Sequence, residues 1–271
     1  MAEPSRARQP IGARDAPGQI LVLGRNRSGT KWLSNQVANH PAVAAITAPR
    51  IGVLEANLFS HFPRMFGDLS VDDHYYAFLA AFMRSSYFHG SGLPESVLYD
   101  RRHTDYLAFF GHFMDRLAAA RAAESWLQKG SSLLLPRLHG AFPEARFLIM
   151  RRTNVLENVR SSVALRLASR PVRVGPVLLG RELASYYLHR GVEQAYVGHP
   201  NVQLVTYESL RADKEQVLRA VCEFLQLDFD PAVLVDTFPA NTSYKKVRRE
   251  TVLSVADVRA FRVLEPLIRA L

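Results

Sequence analysis

Two kinds of hydrophobic pattern alternate along the chain. Gln19-Ile20-Leu21-Val22-Leu23-Gly24 is a short continuous apolar run closed by glycine, as in a strand buried on both faces. From residue 30 to 39 the period changes: Trp32, Leu33, Gln36 and Val37 recur at helical spacing, and His40-Pro41 ends the run. Residues 145–150 and 201–206 repeat the buried-strand pattern, each with a helical segment after it. Strands alternating with helices at this spacing predict βαβ units, hence an α/β fold of three layers with a central parallel sheet and ligands at the carboxyl ends of its strands. Residues 74–84 and 105–123 are helical stretches rich in alanine, phenylalanine and leucine, which predict a helical insertion covering the sheet.

Composition narrows the class. Hydrophobic residues at 48% and charged residues at 22% fit a folded enzyme rather than a disordered or fibrous chain. No apolar run approaches the roughly 20 residues of a membrane helix, so a soluble, cytoplasmic protein without a transmembrane segment is expected. Residues 1–18 mix arginine, proline and alanine and are expected to be a flexible lead-in to a single domain over 19–271. The formal charge of +9 favours polyanionic partners such as nucleotides or phosphorylated cofactors. The one cysteine, Cys222, falls on the apolar face of a helical stretch, so it is expected to be a buried structural thiol.

The candidate chemistry starts where the first strand ends. Gly24-Arg25-Asn26-Arg27-Ser28-Gly29-Thr30-Lys31-Trp32 carries a strand through a turn of glycines, cations and hydroxyls straight into a helix, which makes an anion cradle. Unpaired amides and the helix dipole at that point favour phosphate oxygens. Gly29 permits close approach, Arg27 and Lys31 balance ligand charge, and Ser28 and Thr30 offer hydroxyls. The glycine spacing is that of a nucleotide P-loop, but Gly29-Thr30-Lys31 replaces its Gly-Lys-Ser/Thr ending, which removes the hydroxyl that binds Mg²⁺.

Arg27-Ser28-Gly29-Thr30-Lys31-Trp32-Leu33 resembles the 5′-phosphosulfate loop of the sulfotransferases that use 3′-phosphoadenosine-5′-phosphosulfate (PAPS), with Lys31 where the family commonly has threonine or serine. The resemblance runs in order to about residue 249. It implies a P-loop-like fold and transfer of a sulfuryl group from PAPS to a hydroxyl or amine, releasing 3′-phosphoadenosine-5′-phosphate (PAP). Small-molecule or carbohydrate acceptors are then expected, and nucleic acid is not.

Around the second strand, Arg151-Arg152-Thr153-Asn154 leads to Arg160-Ser161-Ser162 in the following helix. An arginine leaving the strand and a serine two turns later can converge on a phosphate. This resembles the family's 3′-phosphate segment without its Arg-Asp-Pro. Arg151 or Arg152 and Ser161 or Ser162 both serve, the preferred register being Arg152 with Ser161. Lys245, Lys246 and Arg248 match the family's late basic loop over the same phosphate. Val205-Thr206-Tyr207-Glu208-Ser209-Leu210 resembles a structural Tyr-Glu-x-Leu segment of the family.

Sulfuryl transfer needs a base for the acceptor and cations for the leaving phosphate, with no metal. Glu55, in Val53-Leu54-Glu55-Ala56-Asn57-Leu58-Phe59, has an apolar setting expected to raise its carboxyl pKa. Its surroundings resemble the glutamate segment of carbohydrate-type family members, without the preceding lysine. His61 is the alternative base or a substrate contact. Lys129, expected just after a short strand, is a candidate for substrate or sulfate contact. The competing function is a P-loop kinase using ATP and Mg²⁺; the third is a noncatalytic polyanion binder.

Overall fold

The computed structural model describes residues 16–59, 61–169, 173–237 and 252–270. Residues 1–15 and the cations Lys245, Lys246 and Arg248 lie outside them. Strand β1 (Gly18–Leu23) leads into α1 (Thr30–Ala38), followed by β2 (Val43–Ala45) and a short antiparallel pair, β3 (Thr47–Ala48) with β4 (Gly52–Val53). The expected helical insertion comes next as α2 (Phe62–Phe66), α3 (Asp72–Met83), α4 (Ser86–Ser91) and α5 (Tyr106–Ala120). Then come β5 (Ser125–Gly130), α6 (Leu135–Ala141), β6 (Arg146–Arg151), α7 (Val155–Ser169), α8 (Pro176–Gln194), β7 (Val202–Thr206), α9 (Tyr207–Ala212), α10 (Lys214–Leu225) and α11 (Val255–Arg269).

The five-stranded sheet has the order β2-β5-β1-β6-β7 and every pairing in it is parallel. Connections leave β1 toward one edge and later strands extend the other, so a ligand crevice is expected at the carboxyl ends of β1, β5 and β6. Side chains alternate across β1. Leu21 and Leu23 join the aromatic core under α3 to α6, with Phe78, Phe82, Phe110 and Phe113, while Ile20 and Val22 join Leu33, Leu218 and Val221 beneath α1 and α10. Cys222 is buried in that second core, as its helical spacing indicated. A third apolar cluster ties α7, α8 and α11 together through Val159, Val163, Leu179, Leu183 and Phe261. Among the described residues no helix is long and apolar enough to cross a membrane.

Lys129 does not follow a strand; it lies within β5, level with Val22 of β1. Its strand reads poorly in sequence because Gln128 and Lys129, though buried, are polar.

Candidate active site

The turn between β1 and α1 is shaped by backbone crowding. A Cβ on Gly24 would lie 2.4 Å from the carbonyl oxygen of Met150, so β1 and β6 approach here as only glycine allows. Gly29 has φ +105°, and a Cβ there would meet Met150 Cε at 2.7 Å and Tyr207 Cδ2 at 2.9 Å. Arg27 also has a positive φ, 72°. Ser28 is buried and closes the turn, its hydroxyl donating to the Arg25 carbonyl at 2.7 Å. Gly29 caps α1 without a side chain, and the first turn, which opens on Thr30, holds no acid. Among the described residues no side chain caps this helix start, a terminus of the kind that favours an anion.

Three cations gather at this edge. The Lys31 pKa is lowered by burial first, then by the charges of Lys129 and Arg27. Like charges held this close favour a polyanion between them. Lys129 is buried, and its ammonium pairs with Glu55 Oε1 at 3.2 Å. Glu55 and Lys129 also form an isolated parallel β-bridge. The apolar setting expected for Glu55 is not what the fold provides. Its side chain is 56% exposed, because the chain leaves β4 at the sheet edge and turns the carboxylate toward Lys129. Upstream, Asn35 of α1 accepts from Val53 N at 2.9 Å, which fixes β4 and hence Glu55 against the helix bearing Lys31. His61 is exposed at the cap of α2.

The second anion segment resolves into two layers. Arg151 turns inward, its Nε donating to buried Glu193 at 2.9 Å. Arg152, just past β6, stands 3.7 Å from the Glu157 carboxylate and 4.8 Å from the ring centroid of Tyr207, which packs edge-on against Trp32 at 5.8 Å. The Trp32 indole N–H reaches Asp236 at 3.4 Å. Ser161 accepts from Arg27 Nε at 2.9 Å, so the first loop and the second segment meet directly. Ser162 instead accepts from Arg25 at 3.0 Å. The Glu208 carboxylate receives the amides of Thr153 and Asn154 at 3.1 and 3.2 Å. Burial works to raise its pKa, but those backbone donations hold it below the usual range. The amides just before α7 are thereby taken by the chain's own carboxylate, and Asn154 caps the helix by accepting the Glu157 amide at 3.0 Å.

Sequence reasoning passed over Arg25, Glu182 and Glu193. Glu182, Ser185, Tyr186, His189 and Glu193 form one stripe of α8 at helical spacing, buried or nearly so. That polar stripe was the available signal.

The family model for sulfotransferases matches residues 17–231. The chain belongs to the sulfotransferase family. A comparison with curated protein sequences finds no match. Among solved structures, the sulfotransferase domain of the Synechococcus PCC 7002 olefin synthase superposes with a TM-score of 0.54 at 16% identity, covering 98% of this chain and 92% of its own. The sulfotransferase domain from the curacin biosynthetic pathway gives 0.53 at 16% identity over 89% and 82%. Sulfotransferase STF9 from Mycobacterium avium gives 0.52 at 16% identity over 95% and 76%. At these identities the three establish a shared fold. Family membership sets the reaction class: the sulfotransferase moves a sulfuryl group from PAPS to an acceptor and releases PAP. No observation favours the kinase.

Proposed function

We propose that this sulfotransferase carries out transfer at the carboxyl ends of β1 and β5, with Glu55 as the base for a hydroxyl or amine acceptor. The observation that carries the reading is the Glu55–Lys129 pair at 3.2 Å, set beside Lys31 and Arg27. The residues present fit a nucleotide with phosphates at both ends. Arg27, Lys31 and the uncapped start of α1 hold the 5′-phosphosulfate, with Ser28, Gly29 and Thr30 shaping the cradle. Arg152 and Ser161 hold the 3′-phosphate: Arg151 is tied to buried Glu193 at 2.9 Å and Ser162 to Arg25, whereas Arg152 makes a looser 3.7 Å contact with partly exposed Glu157 and Ser161 meets Arg27 of the loop itself. Trp32 and Tyr207 offer ring surface for the base.

Glu55 takes the proton of the acceptor as its oxygen or nitrogen bonds to sulfur. The bond from sulfur to the 5′-phosphate oxygen breaks, and its electron pair goes to that oxygen. Arg27, Lys31 and Lys129 meet the charge that develops there. Exposure of Glu55 leaves it open to an acceptor arriving from solvent, and the contact with Lys129 keeps it aimed. The cations are gathered at one sheet edge, which supports a small-molecule or carbohydrate acceptor over nucleic acid.

The test separates binding from chemistry, once an acceptor has been identified by mass-spectrometric screening with PAPS. Glu55→Gln is expected to leave PAP affinity within about twofold and to slow single-turnover transfer by about 10²-fold, as loss of a general base does. A wild-type rate would pass the base's role to His61.

A further inference from the structure

Arg25 stands two residues before Arg27 and is 5% exposed. Its guanidinium points away from the anion cradle, into the junction of α7 and α8. All five N–H groups have acceptors there. Nε donates to Ser185 Oγ at 3.3 Å, Nη1 to Asn158 Oδ1 and to Ser162 Oγ at 3.0 Å, and Nη2 to the Glu182 carbonyl at 3.2 Å and to Glu182 Oε2. The other oxygen of Glu182 takes Arg166 Nε at 2.6 Å. Asn158 and Glu182 are themselves buried. A guanidinium matched at every donor has one orientation, because its fork is rigid and planar.

The backbone of the same residue is what the turn closes on. The Arg25 carbonyl accepts both the Ser28 amide at 3.1 Å and the Ser28 hydroxyl at 2.7 Å. Two alternate arginines of one loop thus engage adjacent serines of α7: Arg25 holds Ser162 and Arg27 holds Ser161. Adjacent helical residues project about 100° apart, so Ser162 faces Arg25 at the junction with α8 while Ser161, also buried, faces Arg27.

We propose that Arg25 is a positioning residue for the donor loop: anchored on Asn158, Ser162, Glu182 and Ser185, it sets the turn that presents Arg27 to the donor. The inference rests on the reading of this loop as the PAPS site. Lysine at this position keeps the charge but offers only three donors without the planar fork.

The experiment is calorimetric titration of PAP into wild type, Arg25→Lys, Arg27→Ala and the double variant, with urea denaturation of each. Arg25→Lys is expected to weaken PAP by about tenfold or more, as loss of several hydrogen bonds to a buried charge implies. If Arg25 acts through Arg27, the loss caused by Arg27→Ala shrinks in the Arg25→Lys background. Additive losses, or unchanged PAP affinity with only a lowered denaturation midpoint, would make Arg25 mere scaffold and overturn the proposal. Should Arg25→Lys not fold, Ser162→Ala decides. It removes one acceptor and no charge, and a few-fold weakening of PAP is expected, while wild-type affinity overturns the proposal. Failure of wild type to bind PAP would instead refute the donor-site reading.

Discussion

Replacing Gly52 by alanine should disturb catalysis from a position that touches no substrate. Gly52 has φ +79°, and an added Cβ would stand 2.3 Å from Asn35 Oδ1 and 2.4 Å from its Nδ2. The left-handed backbone alone costs alanine about 1–2 kcal/mol. Asn35 must also move, which breaks its bond to the Val53 amide and leaves a buried donor unpaired, at about 1–3 kcal/mol. The combined loss should be about 2–5 kcal/mol by urea denaturation. Because β4 delivers Glu55 to Lys129, single-turnover transfer should fall well beyond tenfold, while PAP affinity, assigned above to the loop before α1 and to Arg152 with Ser161, should change less. Gly92→Ala is the control: φ is +71°, but a Cβ there meets nothing within 4 Å, so it should show the backbone cost alone with wild-type transfer. Wild-type stability and rate in Gly52→Ala would refute the coupling of Asn35, β4 and Glu55.

Other expectations concern the buried polar layer and the second phosphate. Burial first, then the charge of Arg25, lowers the His189 pKa to about 4. The unfolded imidazole therefore takes its proton first as pH falls below about 6.5, so stability present above that pH is lost toward pH 4, by about 3 kcal/mol in all. His189→Asn should flatten the difference in urea midpoints between pH 7 and pH 4; an unchanged slope would contradict this. Arg152→Ala should weaken PAP more than adenosine 5′-phosphosulfate in competition titrations, since only PAP carries the 3′-phosphate, and equal losses would place Arg152 elsewhere.

The strand, turn and helix of the donor loop were legible in sequence because they are contiguous: the apolar run, Gly29 and the helical period all lie within 20 residues. Parallel order was legible from alternation, with β6 marked by the apolar run Phe147-Leu148-Ile149-Met150 and β7 by Val202, Leu204 and Val205 around Gln203. β5 was read only as a short strand ending before Lys129, since Gln128 and Lys129 break its pattern where the strand reaches the site. Spacing alone could not choose between Ser161 and Ser162, which differ by one residue; the choice depends on which arginine each one meets. Glu55 was legible as a residue and misjudged in setting, because apolar sequence neighbours do not bury a side chain that leaves a sheet edge. The Arg25–Glu182 contact spans 157 positions, and no local pattern announces it.

The donor site is tested most directly by thermal melts of the wild-type chain with PAP, without Mg²⁺, against ATP with Mg²⁺. A ligand confined to the native state and present at 100 times its Kd adds about 2.7 kcal/mol, so saturating PAP should raise Tm by about 5 °C or more, and ATP by less. A large shift with ATP and Mg²⁺ and none with PAP would contradict the account.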